Sequence, residues 1–104
     1  MDRPEKMGDH QLLVQELNRQ YDLHLTEQLP PDELETFLSE KLNALIRSDF
    51  NMLITILYRV DVSENKLKKL LRDSPGEDAG RIMARLIIER QLEKIKARRA
   101  SNST

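Results

Sequence analysis

The chain of 104 residues has no cysteine, no tryptophan and only three glycines. Without cysteine, neither a disulfide framework nor a thiolate metal site can form. The scattered glycines provide no loop that could cradle a phosphate group, and no serine lies in a nucleophile elbow. The two histidines, His10 and His24, are fewer than the three or more protein ligands that a zinc site needs. We therefore expect no enzymatic activity, no cofactor and no small-molecule substrate.

Long apolar runs are also absent from the chain. No stretch approaches the roughly 20 residues that a helix needs to cross a bilayer. Residues 1–8 lack the basic-then-apolar pattern of a signal peptide. These absences predict a soluble, cytoplasmic protein without a membrane partner.

The residues that are present favour helices. Leucine, isoleucine, glutamate, lysine and arginine are abundant, whereas valine is scarce. Asp9 and Ser63 are N-cap candidates, Pro31 suits a first helical turn, and Ser74 to Glu77 match a capping box. We predict an all-α, single-domain bundle of five helices at about 9–21, 31–46, 49–61, 64–72 and 75–99, the last of them long. Residues 1–8 are then a flexible arm, 9–99 the domain and 100–104 a disordered tail.

The segment 49–61 fits two secondary structures. Every even position from Phe50 to Val60 is apolar, as in a strand with one buried face. Its polar residues Asn51, Thr55 and Arg59 are four apart, however, and form one narrow stripe on a helix that is otherwise apolar. Because the chain offers no convincing partner strand, we predict a helix at the centre of the core.

Charge is distributed unevenly along the chain, although the formal net charge is −1. Residues 1–52 carry eleven acidic and five basic side chains, whereas residues 53–104 carry seven acidic and twelve basic ones. A basic half can indicate a nucleic acid as partner. Because acidic residues interrupt this basic half, we favour halves that pack against each other or pair head to tail.

The last predicted helix carries two apolar stripes that point in opposite directions. At 100° per residue, one stripe contains Ala79, Ile82, Met83, Leu86 and Ile87. The other contains Ile88, Leu92 and Ile95, and its flanking residues are Arg85, Glu89, Lys96 and Arg99. One domain is expected to cover a single stripe, so the second predicts a protein interface. We expect a homodimer that uses this interface; another protein or the N-terminal arm is the alternative partner.

Residues 56–70 resemble the helix-turn-helix motif of DNA-binding proteins. The shared features are "Val-Ser-Glu" at the start of the second helix and the apolar residues Ile56, Val60, Val62, Leu67 and Leu70. The resemblance implies that Asn65, Lys66 and Lys69 face the major groove and that Lys68 contacts a phosphate. Leu57 and Asp61 stand where the motif has a small residue and a glycine. The alternative is an ordinary helical hairpin with solvated lysines.

Residues 49–99 resemble a family of small, uncharacterised, helical bacterial proteins. The resemblance is carried by "Leu-Tyr-Arg-Val-Asp-Val-Ser-Glu", "Pro-Gly-Glu-Asp-Ala-Gly" and "Leu-Ile-Ile-Glu-Arg-Gln-Leu-Glu-Lys-Ile-Lys", and it covers about half of the chain. It implies a bacterial, cytoplasmic origin and no particular activity.

Overall fold

Five α-helices make up the structure, a computed structural model that describes residues 8–21, 24–26 and 29–102. They are α1 (Asp9–Tyr21), α2 (Pro31–Ser48), α3 (Phe50–Val60), α4 (Glu64–Asp73) and α5 (Ala79–Asn102). The described residues contain no strand. The predicted all-α, single-domain fold is therefore confirmed. All of the predicted N-terminal arm except Gly8 lies outside the described residues.

The core forms where α5 crosses the other helices. α5 contacts α1, α2, α3 and α4, and its most extensive contact is with α2. The buried residues of α5 are Gly80, Ile82, Met83, Ala84, Leu86, Ile87, Gln91 and Ile95. The buried residues of α2 are Leu34, Leu38, Ser39 and Leu42. The pair formed by α2 and α5 is therefore the centre of the molecule.

The absence of a side chain at Gly80 allows α2 and α5 to approach closely. A Cβ atom at Gly80 would lie 2.6 Å from the backbone oxygen of Ser39 and 2.5 Å from Oδ1 of Asn43. That same Oδ1 accepts a hydrogen bond from the backbone N–H of Gly80 at 3.1 Å. Glycine at this position thus provides the space in which the two helices approach closely enough for this backbone hydrogen bond to form.

The start of α5 differs from the prediction. The helix begins at Ala79 and not near Pro75, because Ser74 to Glu77 form a turn in which the Glu77 N–H donates to the Ser74 carbonyl at 3.0 Å. Asp78 is the actual N-cap, and its carboxylate accepts from the Gly80 N–H at 2.9 Å. The carboxylate also accepts from Nδ2 of Asn43 at 2.8 Å, and this hydrogen bond is the main reason that the pKa of Asp78 lies below its ordinary value.

Two other helix ends also shift. The first hydrogen bond of α1 runs from the Leu12 N–H to the Gly8 carbonyl, so Gly8 occupies the cap position and Asp9 lies in the first turn. At the other end of the chain, α5 continues through Asn102, beyond the predicted end at Arg99. The predicted disordered tail is therefore wrong for residues 100–102. Arg99, a basic residue in the last turn, favours the continuation because a positive charge there interacts well with the helix dipole.

The position of α3 in the fold corrects a prediction. The segment is helical as expected, but only Leu53, Ile56 and Val60 are buried. α3 lies at the edge of the bundle, because the longer helices α2 and α5 pack against each other and cover only one face of it. A helix that is apolar on all sides does not show which of its faces will be covered.

Candidate functional site

The second apolar stripe of α5 is covered by the chain itself. Ile95 is 1% exposed, and Ile88 and Leu92 are half-buried against the core. Gln91, one turn before Ile95, is also buried. Its amide Nε2 donates a hydrogen bond to Oε1 of Gln20 in α1 at 3.3 Å. Arg99, on the next turn, forms an ion pair with Asp9 of α1 at 2.9 Å. The expected exposure of Ile95 is therefore wrong, because α1 lies along this part of α5. Self-association through Ile88 and Leu92 stays a prediction.

The residues predicted to flank that interface have other roles. Arg85 binds Glu35 of α2 at 3.1 Å and Glu77 at 3.2 Å, and the hydrogen bond that Arg85 donates to Glu35 is the main reason that the pKa of Arg85 lies above its ordinary value. Glu89 binds Lys66 of α4 at 3.0 Å. Lys96 is exposed near the end of α5. Arg85, Glu89 and Arg99 thus join α5 to its own neighbours.

The turn between α3 and α4 has two features of a helix-turn-helix. Asp61 has a left-handed backbone with φ 67° and ψ 46°, which aspartate tolerates better than most residues. Ser63 caps α4 as predicted, since its hydroxyl accepts from the Lys66 N–H at 3.2 Å. Both findings confirm the local turn and say nothing by themselves about DNA.

The side chains predicted to contact DNA are exposed but mostly paired with carboxylates. Lys66 binds Glu89, Lys68 binds Glu64 at 3.4 Å, and Lys69 binds Asp73 at 2.8 Å. Asn65 is exposed on the same helix. Beside the turn, Arg90 binds Glu93 at 3.1 Å and Asp61 at 3.3 Å, and these hydrogen bonds raise its pKa. Acidic side chains therefore surround the surface that would face DNA.

A row of large apolar side chains on α3 is exposed. Phe50, Ile54 and Tyr58, which we call the α3 stripe, are spaced four residues apart and are 56%, 46% and 86% exposed. At this spacing they follow one side of the helix. These residues belong to the apolar even-numbered positions that the sequence shows between Phe50 and Val60. They were not expected to be exposed, because α3 was predicted to lie at the centre of the core.

A groove opens between α2 and α3 on the other flank of α3. It encloses about 460 Å³, and Ile87 of α5 lies among its lining residues. We call this the α2–α3 groove; its other lining residues are Gln20, Leu38, Lys41, Leu42, Ala44, Leu45, Met52, Ile56 and Arg59. No sequence motif predicted it, because it depends on how α2 and α3 pack against each other and against α5.

The described part of the chain brings together no group of three or more histidine, aspartate or glutamate side chains that could hold a metal ion. Nε2 of His10 contacts the backbone oxygen of Leu29 and so links α1 to the segment before α2. His24 is exposed. Within the described ranges, none of the helices combines the length and apolar character required to traverse a membrane.

Comparisons with known protein families, with curated proteins and with solved structures return no match to this chain. The resemblance of residues 49–99 to a bacterial helical family and that of residues 56–70 to the helix-turn-helix motif therefore stay predictions.

Proposed function

We propose that this protein is a non-catalytic helical interaction module whose protein-binding surface is the α3 stripe. The observation that carries the proposal is the exposure of Phe50, Ile54 and Tyr58 in a row on one helix. Contiguous exposed apolar side chains on a folded domain mark interaction sites more often than single ones do. Covering each of them is worth roughly 1.5–3 kcal/mol.

The composition of the stripe also suits a protein partner. Two of its three side chains are aromatic, and Tyr58 adds a hydroxyl group to a large apolar ring. Aromatic residues of this kind are enriched among those that contribute most of the binding energy at interfaces. The helix that carries the stripe has a side-chain cap, because Asp49 accepts a hydrogen bond from the Met52 N–H at 3.1 Å at the start of α3.

Co-purification from the native cell tests the proposal. We would compare the wild type with Ile54→Gln/Tyr58→Gln and with a control, Lys68→Gln/Arg72→Gln, which changes two exposed residues of α4. We expect one protein to be recovered with the wild type and the control, and to be lost with the α3 variant. Equal recovery of every protein in all three samples would contradict the proposal.

The partner in this proposal is either another protein or a second copy of the chain. Sedimentation velocity separates the two. A homodimer built on the α3 stripe would dissociate in the Ile54→Gln/Tyr58→Gln variant. A monomeric wild type at high micromolar concentration would assign the stripe to another protein.

A DNA-binding helix-turn-helix is the second candidate function, favoured by the turn at Asp61 and the cap at Ser63. Fluorescence anisotropy with a generic DNA duplex distinguishes it from the first. Binding through phosphate contacts would appear at low salt and weaken steeply as salt is added. No association at low salt would remove this candidate.

A further inference from the structure

The α2–α3 groove combines an apolar floor with a basic rim. Leu38, Leu42 and Ile56 are buried core residues that line it. Lys41 stands on the α2 wall and Arg59 on the α3 wall, and both are exposed. No described residue that lines the groove is acidic.

The two rim cations differ from the paired cations beside the α3–α4 turn. In the cleft between the α3–α4 turn and α5, Lys66 and Arg90 are both paired with carboxylates. Among the described residues, neither Lys41 nor Arg59 has a carboxylate partner; Lys41 instead lies over the ring of Phe37, with Nζ 5.9 Å from its centroid. The face of an aromatic ring attracts a cation, so this contact holds the ammonium group of Lys41 beside the groove.

The shape of the groove suits a helix better than a strand. Both walls are helices whose backbone groups are hydrogen-bonded internally, so the groove has no free edge to which a strand could be added. The lined part of each wall is eight residues long, from Leu38 to Leu45 and from Met52 to Arg59. The seven steps between its ends span about 10.5 Å at 1.5 Å per residue. An amphipathic helix places three apolar anchors over the same length, at i, i+3 or i+4, and i+7.

We infer that the α2–α3 groove binds an acidic amphipathic helix of a partner protein. Apolar anchors of that helix cover the floor, and carboxylates on its two flanks face Lys41 on one wall and Arg59 on the other. A second copy bound groove to groove is a poorer occupant, because two-fold symmetry would bring the same cations together from both copies. This surface is separate from the α3 stripe, and its test is independent of the proposed function.

A displayed peptide library tests the inference. The probes are 17-residue helical peptides with leucine fixed at three anchor positions and with flanking positions randomised among glutamate, glutamine and lysine. The whole protein is used for selection. We expect glutamate to be enriched at the flanking positions of the selected peptides. No selected peptide above background, or flanks enriched in lysine or glutamine, would overturn the inference.

The selected peptide is then measured against two charge-reversal variants. Lys41→Glu/Arg59→Glu changes the groove, and Lys96→Glu/Arg98→Glu makes the same change in net charge at two exposed positions near the end of α5. We expect at least about a tenfold rise in Kd for the groove variant and a much smaller rise for the control. Circular dichroism checks that both variants are folded. Equal Kd values for the two variants would contradict the groove as the binding site.

Discussion

At the scale of single residues, the crossing of α2 and α5 depends on the absence of one methyl group. Gly80→Ala would place a Cβ atom 2.6 Å from the Ser39 carbonyl oxygen, which is backbone and cannot move aside easily. We expect a loss of about 1–3 kcal/mol in the free energy of unfolding. Gly76→Ala is the matched control, because nothing lies within 4 Å of that position. Urea denaturation measures both, and equal stabilities would contradict the close approach.

Ser63 is a second residue with a measurable role. Its hydroxyl is the side-chain cap of α4, so Ser63→Ala should reduce stability by about 1 kcal/mol, whereas Ser63→Thr keeps the hydroxyl and should reduce it less. A change within experimental error for Ser63→Ala would show that the cap contributes nothing.

Asp78 should make part of the stability depend on pH. Its pKa is lowered in the folded state, first by the hydrogen bond from the Asn43 side chain. A carboxyl group with a lowered folded pKa stabilises the fold above its unfolded pKa of about 3.9, and this contribution disappears as the pH falls through the folded value. The stability advantage of the wild type over Asp78→Asn should therefore shrink in denaturation experiments as the pH falls from about 5 to below the lowered folded pKa of Asp78. A difference that stays constant with pH would contradict this role.

At the scale of the helices, two other helices of the chain pack on the two apolar stripes of α5. α2 packs on the first stripe, and α1 follows the second through Gln20 and Asp9. The helix does extend past the domain, as its length suggests, but its exposed end begins only after Ile95. A second stripe on one helix therefore indicated a second helix of the same chain.

Substitution of Ile95 distinguishes a second stripe that α1 covers from a second stripe that forms the expected homodimer. Because Ile95 is buried, Ile95→Ala should cost roughly 2–5 kcal/mol of stability. Leu92→Glu/Ile95→Glu should unfold the protein. Circular dichroism and sedimentation together measure the outcome, and a folded monomer from the double variant would support an interface at this stripe instead.

The positions of the helices along the chain were predictable from sequence, whereas the choice of which helices pack against each other was not. Periodicity located all five segments because this signal is local. The cap at Ser63 was also predictable, whereas the predicted caps at Asp9 and Ser74 were not the actual ones. The burial of Ile95 and the exposure of Tyr58 depend on which helix covers which face. That choice is made by packing between residues far apart in the chain, so the α3 stripe and the α2–α3 groove could not be found without the structure.

At the scale of the whole molecule, α3 is the helix with the most apolar surface left uncovered. The buried face of α3 packs on the core. On one flank of this face the α3 stripe of Phe50, Ile54 and Tyr58 is exposed, and on the other flank Met52 and Arg59 line the α2–α3 groove. A second copy or another protein that covers the stripe would remove this exposed surface from water, which is the main driving force for association. The central claim is that α3 presents a protein-binding surface.

Photo-cross-linking in the native cell tests that claim most directly. A photoreactive phenylalanine analogue would replace Tyr58, the most exposed residue of the stripe, and in a control it would replace Gln11, an exposed polar residue of α1. The account predicts a discrete cross-linked protein product from position 58 and none from position 11. The absence of a product from position 58, or the same products from both positions, would contradict it.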